Sequence, residues 1–307
     1  MLAFLFPGQG SQYAGMGKTL SENFPLARQV FEEANDALSF DLSGLCYNGP
    51  EEDLKLTQNT QPAILTTSVA ALRVIQTETG LNPDFAAGHS LGEYSALVCS
   101  GALDFADAVR IVRQRGFFMQ EAVPVGVGAM AAVLGLGREP LAEVCDEAAQ
   151  GQVVSPANFN SEGQVVIAGH TEAVERAMAL GKERGAKRAM LLPVSAPFHC
   201  ALMQPAGERL AGVLAEVEVN EMALPVISNV EAVPNQEAGR VRDLLVKQVS
   251  APVRWEDTIR QMLDLQVERF IEIGPGKVLC GLMKRMARGR VIQNVQDPDD
   301  VRALIKG

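Results

Sequence analysis

Short apolar runs, bounded by glycine, proline and polar residues, recur at 2–6, 85–88, 225–230, 267–273 and 290–295. Each has the length and composition of a strand buried on both faces. Between and around them, apolar positions return every three or four residues over 62–79, 91–100, 105–122, 201–217, 255–264, 278–287 and 299–306. That spacing predicts helices with one apolar face. Strands alternating with helices predict an α/β protein built on a mostly parallel sheet.

The middle of the chain has a different rhythm. It predicts a strand over 128–136, a helix over 139–149, and strands over 153–158 and 164–168 about a turn at Ser161-Glu162-Gly163. A helix over 171–184 and a strand over 187–193 complete the order β-α-β-β-α-β, the split βαβ or ferredoxin-like arrangement. It starts after Val125-Gly126-Val127-Gly128 and ends at Val194-Ser195-Ala196-Pro197. The expected organisation is therefore a larger α/β domain from residues 1–125 and 196–307, with a small domain, 126–195, inserted into it.

Composition narrows the class. Of 307 residues, 47% are hydrophobic and 21% charged, which is ordinary for a folded globular chain. The net charge of −10 disfavours a general nucleic-acid binder, whose affinity rests on neutralising phosphates. Cys46, Cys99, Cys145, Cys200 and Cys280 are odd in number and widely spaced, with no Cys-x-x-Cys pair, so neither a disulfide framework nor a metal site is expected. No apolar run reaches the length of a membrane span, and the six apolar residues before Pro7 are too few for a signal peptide. The expectation is a cytoplasmic protein.

Gly88-His89-Ser90-Leu91-Gly92 lies between a predicted strand and a predicted helix. This is a Gly-x-Ser-x-Gly nucleophile elbow in the context that supports it. The sharp turn lifts the Ser90 hydroxyl off the sheet and aims the Leu91 N–H at the same point. A serine nucleophile needs a base, and the chain has three histidines. His89 is adjacent to Ser90 and is expected to support the elbow. His170 lies inside the inserted segment, away from any serine motif. His199, in a proline-marked loop where the chain re-enters the larger domain, is the expected general base. Cys200 beside it lacks an elbow of its own and is expected to be a buried thiol.

Two further features carry chemistry. Pro7-Gly8-Gln9-Gly10-Ser11 follows the first strand and can supply a second oxyanion donor; no Lys-Ser/Thr follows it, so it is not a phosphate loop. On the helix over 105–122, residues Ala108, Ile111, Val112, Arg115 and Met119 share one face, which puts an arginine on the apolar side. No acid lies three or four residues away, unlike Arg110, which has Asp107. A buried guanidinium needs a partner: either a distant acid or the carboxylate of a ligand.

These motifs, with Asn158-Phe159-Asn160-Ser161, Phe198-His199 and Glu272-Ile273-Gly274-Pro275-Gly276-Lys277, fall in one order along nearly the whole chain. In that order the sequence resembles the bacterial malonyl-CoA:acyl carrier protein transacylases, of the acyltransferase family of fatty-acid and polyketide synthesis. The resemblance implies an α/β hydrolase-like domain with a ferredoxin-like insertion. It implies that Ser90 is malonylated with His199 as base, that Gln9 and the Leu91 N–H form the oxyanion hole, and that Arg115 holds the malonyl carboxylate. It also implies that the backbone carbonyl of Gln248, in Leu-Val-Lys-Gln, orients His199, and that Asn158 lies near the cleft. Phe198 before the histidine resembles the malonyl-preferring pattern. The implied reaction is ping-pong, with malonyl-CoA and CoA on one side and phosphopantetheinylated acyl carrier protein on the other. No metal or redox cofactor is implied, and a monomer is expected. The competing readings are a serine hydrolase and a non-catalytic scaffold that binds the carrier protein. Carrier proteins are acidic, so docking on this acidic chain is expected to use a local basic cluster: Lys187 with Arg188, or Lys284, Arg285, Arg288 and Arg290.

Overall fold

The computed structural model describes residues 1–194 and 196–306. Ser195, expected at the end of the inserted segment, and Gly307, at the chain end, lie outside the described residues.

Among the described residues the strands form two sheets. The first contains β1 (Leu2–Phe6), β2 (Phe85–Gly88), β7 (Val226–Ile227), β8 (Pro234–Asn235), β9 (Arg269–Ile273) and β10 (Val291–Val295), in the order β10-β9-β1-β2-β7-β8. Every pairing is parallel except the β7–β8 hairpin. Alternation along β1 shows why its residues are all apolar. Phe4 and Phe6 face a core formed with the helices Thr57–Thr79, Gly92–Cys99 and Phe105–Glu121, through Leu65, Tyr94 and Ile111. Ala3 and Leu5 face the opposite core, with Trp255, Ile259 and Met283 from the helices Trp255–Asp264 and Val278–Met286. A parallel sheet covered on both sides needs such continuous hydrophobic strands.

The second sheet contains β3 (Gly128–Leu134), β4 (Val154–Ser161), β5 (Gln164–His170) and β6 (Arg188–Leu191), all antiparallel, in the order β4-β5-β3-β6. The helices Arg138–Ala149 and Thr171–Glu183 cover one face through Leu141, Val144, Val174 and Ala177, packed on Ala131, Val133 and Ile167. This is the expected β-α-β-β-α-β order. The other face contributes Met130, Val166 and Ala168 to the main core, so the small sheet joins that core through apolar contact.

Several expected bounds shift for identifiable reasons. The helix expected from 62 starts at Thr57 and contains Pro62. Its first turn is tied down by side chains: the Thr60 hydroxyl donates to the Leu54 carbonyl at 2.6 Å, and Asn59 Nδ2 to the Asp53 carbonyl at 2.9 Å. The strand expected over 225–230 is only Val226–Ile227, after which Ser228 and Asn229 turn away, fully buried. The helix Ala238–Ser250, and between Lys18 and Leu54 the helix Pro25–Leu38 with three short ones, were not expected.

Candidate active site

β2 ends at Gly88 and the helix Gly92–Cys99 starts four residues later. Ser90 sits at the tip with φ 52°, a left-handed conformation that non-glycine residues adopt only when their surroundings hold it. The flanking glycines serve another need. A Cβ on Gly88 would overlap the Gly92 carbonyl carbon, and one on Gly92 would strike the Phe6 carbonyl oxygen. Small residues are required there by close approach of backbones. Asn229, in the turn after β7, braces the tip: its Oδ1 accepts the Ser90 N–H at 2.6 Å and its Nδ2 donates to the Gly88 carbonyl at 2.7 Å.

His199 lies 2.7 Å from Ser90 Oγ through Nε2, and its Nδ1 lies 2.8 Å from the backbone carbonyl of Gln248. A carbonyl only accepts, so Nδ1 carries the proton and Nε2 is left to accept from the serine hydroxyl. The ring is buried, and His199 too has a left-handed backbone, φ 59°. Burial, reinforced by the Arg115 cation, pushes its pKa down to about 3, so the imidazole is neutral at physiological pH and available as a base.

Arg115 is 2% exposed. Its NH1 donates to Gln61 Oε1 at 2.7 Å; its NH2 donates to Gln248 Oε1 at 2.9 Å and to Ser90 Oγ at 3.2 Å. The guanidinium lies over the Tyr94 ring, 5.6 Å from its centroid. Among the described residues Arg115 makes no ion pair, and its Nε is buried without a partner. Burial lowers its pKa. The distant acid that the sequence left open does not touch it. Glu93 stands one residue removed, joined to Arg115 through the Gln248 amide.

The Gln9 loop runs beside the elbow. Gly8 is packed so closely on the His89 carbonyl that a Cβ there would collide with it, and the Ser11 hydroxyl closes the turn onto the Gly8 carbonyl at 2.8 Å. Among the described residues neither the Gln9 nor the Leu91 backbone N–H has an acceptor, so both can receive a ligand oxygen. Phe198 packs into the main core under the His199 loop. Asn158 is buried where β4 meets Val253. Its neighbour Asn160 is the residue that reaches the elbow, with Oδ1 2.8 Å from His89 Nε2. His89 supports the elbow in this way and against Trp255, and the buried Cys200 thiol donates to the Pro197 carbonyl at 3.1 Å. His170 accepts the Val153 N–H within the second sheet.

The arrangement combines a serine on a braced turn, a neutral base, two free N–H donors and a buried cation. That set suits acyl transfer of a carboxylate-bearing group. A family model for the acyl transferase domain matches residues 3–300. This chain belongs to that acyl transferase family. The malonyl CoA-acyl carrier protein transacylase of Escherichia coli (strain K12) is 52% identical to this acyl transferase over 304 residues, 99% of this chain and 98% of that protein. An acyl carrier protein S-malonyltransferase from Vibrio cholerae O1 biovar eltor str. N16961 has a TM-score of 0.96 at 52% identity, covering 99% of each chain. A malonyl-transacylase solved in complex with a type II PKS acyl-carrier protein has a TM-score of 0.96 at 50% identity, also covering 99% of each chain.

Gln61, Glu93, Asn160 and Asn229 were not singled out in the sequence. For Glu93 a signal existed: it is the one charged residue in Gly92–Cys99, a helix otherwise of small, apolar and uncharged residues. Asn229 was hidden because the strand was expected to run through it.

Proposed function

We propose that this acyl transferase moves a malonyl group from malonyl-CoA to the phosphopantetheine thiol of acyl carrier protein through a malonyl-Ser90 intermediate, supplying fatty-acid synthesis. The observation that carries the reading is Arg115: a buried, ion-pair-free guanidinium 3.2 Å from the nucleophile, with a spare N–H. A malonyl carboxylate satisfies it. A neutral acetyl group leaves it unpaired in a buried site.

In the first half-reaction His199 Nε2 takes the Ser90 proton as Oγ attacks the thioester carbon. Charge develops on the carbonyl oxygen, where the Leu91 N–H and Gln9 receive it. The carbon–sulfur bond breaks, and the imidazolium returns the proton to the departing CoA sulfur. In the second half-reaction the carrier-protein thiol gives its proton to His199, attacks malonyl-Ser90, and leaves as the malonyl thioester with Ser90 reprotonated. The Gln248 carbonyl holds the imidazole tautomer through both halves. Phe198 backs the histidine loop and Asn158 lines the neighbouring cleft wall.

A groove supports the carrier-protein partner. One cavity of about 680 Å³ is lined by Lys187, Arg188 and Arg285, and an adjoining one of about 740 Å³ by Arg260, Arg285 and Arg288. Lys187 and Arg188 of one basic cluster and Arg285 and Arg288 of the other thus line one groove between β6 and the helix Val278–Met286, whereas Lys284 and Arg290 do not line it. Among the described residues Lys187, Arg188, Arg285 and Arg288 make no ion pair, whereas Arg290 lies 3.8 Å from Glu268. We read residues 126–195 as an inserted domain, on the support of its own sheet and core, within a catalytic domain of 1–125 and 196–307. A monomer remains part of this reading, with Ser90, His199 and Arg115 all supplied by this chain. No helix among the described residues is long and apolar enough to cross a membrane. The cytoplasm is part of this reading on the ground of the proposed substrates.

The test is intact mass after incubation with malonyl-CoA. A malonyl adduct that disappears in Ser90→Ala supports the reading. An unmodified parent protein, or an adduct retained in Ser90→Ala, rejects it.

A further inference from the structure

Glu93 is the buried carboxylate of this site, 2% exposed, and it touches none of the reacting groups. One of its oxygens, Oε2, accepts two hydrogen bonds: from the Asn229 backbone N–H at 3.0 Å and from Gln248 Nε2 at 2.8 Å. Each partner leads to the reaction centre. Asn229 holds the strained Ser90 turn from both sides. Gln248 reaches further: its Nε2 also donates to the Ser90 carbonyl at 2.9 Å, its Oε1 accepts from Arg115, and its backbone carbonyl accepts from His199.

The amide of Gln248 has two ends of opposite character. Glu93 Oε2 and the Ser90 carbonyl admit only a donor, so Nε2 must face them and Oε1 must face the guanidinium. Without an acceptor at position 93 that preference rests on the Ser90 carbonyl and the guanidinium alone, and a reversed amide would present N–H groups to a cation. The nucleophile turn, the base and the cation therefore share one anchor.

We propose that Glu93 is a positioning residue for acyl transfer, acting through the two hydrogen bonds at Oε2 and not through its charge. Burial pushes its carboxyl up to about 7, so the neutral form, which keeps an acceptor oxygen, is populated near neutral pH. This inference rests on the Ser90, His199 and Arg115 reading above.

Two substitutions separate geometry from charge. Glu93→Gln removes the charge and keeps an acceptor oxygen at the same reach. Glu93→Asp keeps the charge and withdraws the oxygen by one methylene. The readout is the single-turnover rate of Ser90 malonylation at saturating malonyl-CoA, followed by intact mass, alongside the thermal midpoint. The expected result is a loss of about a hundredfold for Asp, the scale of an ångström-level misplacement, and of less than about tenfold for Gln. A fast Asp variant with a slow Gln variant overturns the proposal, as does Gln as slow as Asp, or both within a few-fold of the parent. Should either variant fail to fold, hydrogen exchange in the parent decides: protected Gln248 side-chain amide protons support the anchor, and rapid exchange overturns it. A parent that forms no adduct on Ser90 overturns the underlying reading and this one together. A parent that does, with an unaffected Asp variant, overturns this one alone.

Discussion

Gln248 performs two tasks at this site, one with its backbone and one with its side chain. The resemblance drew attention to its carbonyl, which a Gln248→Ala change would retain. The side-chain amide, however, satisfies Arg115, Glu93 and the Ser90 carbonyl in a fully buried setting. Gln248→Ala removes one hydrogen bond from each at about 0.5–1.5 kcal/mol, and more at the charged guanidinium, while Arg115 keeps Gln61 and Ser90, Glu93 keeps the Asn229 N–H and the Ser90 carbonyl keeps the Glu93 N–H. Chemical denaturation is expected to show a loss of stability of several kcal/mol by that reckoning, and a loss near zero would show that water replaces the amide freely. His199 allows a second expectation. Its folded pKa of about 3 lies below the ordinary 6.5, so the ring is neutral at pH 5 in the folded protein and charged in the unfolded chain. This group therefore withdraws stability as pH falls from about 6.5 toward 3. NMR titration of the ring is the check: a protonated His199 at pH 5 contradicts the burial account. Glu93 has the opposite sign, since its raised pKa withdraws stability as pH rises from 4.5 to about 7.

Elements differ in how plainly the sequence announced them. β1 and β2 were read to the residue, because a strand buried on both faces is a continuous apolar run between turn residues. The helix Phe105–Glu121 was read with its anomaly, an arginine in the apolar stripe. The helix Ala238–Ser250 carries the same signature unread: Val241, Leu244, Leu245, Gln248 and Val249 are its buried positions, with a glutamine in the stripe. The two misfits meet, Arg115 NH2 to Gln248 Oε1, at 2.9 Å. A polar residue at an apolar position marks a site, but which misfits pair depends on tertiary packing that periodicity does not contain. The elbow gives the prediction at this scale. Gly92→Ala places a methyl against the Phe6 carbonyl, so β1 and the helix must separate. The expected result is a lower thermal midpoint and slower labelling of Ser90 by a fluorophosphonate. A folded variant labelled at the parent rate would show that the close approach is dispensable.

At the scale of the whole molecule, the site depends on the inserted segment. Ser90 comes from the parallel sheet, His199 from the loop that returns from the second sheet, and Asn160 on β4 bonds to His89 beside the nucleophile. The insertion was legible from its strand and helix rhythm. Its docking face was not, because Met130, Val166 and Ala168 look like any half-buried strand residues. The basic groove was half legible: both clusters were seen, about a hundred residues apart, with no means of telling that they face each other. Charge reversal there, Arg285→Glu with Lys187→Glu, is expected to raise KM for carrier protein while leaving adduct formation from malonyl-CoA intact. An unchanged KM would place the partner elsewhere.

The central claim is that a buried cation beside the serine selects the acyl group, and paired acylation rates test it most directly. Ser90 acylation by malonyl-CoA and by acetyl-CoA is measured for the parent and for Arg115→Ala, each confirmed as folded. Loss of a buried charge pairing is worth about 3–5 kcal/mol, so malonyl acylation is expected to fall by about two to four orders of magnitude. Acetyl acylation is expected to hold or rise, because the unpaired cation that opposed it is gone. A fall of both rates by the same factor would contradict the account, and would make Arg115 a support for Ser90 and Gln248 alone.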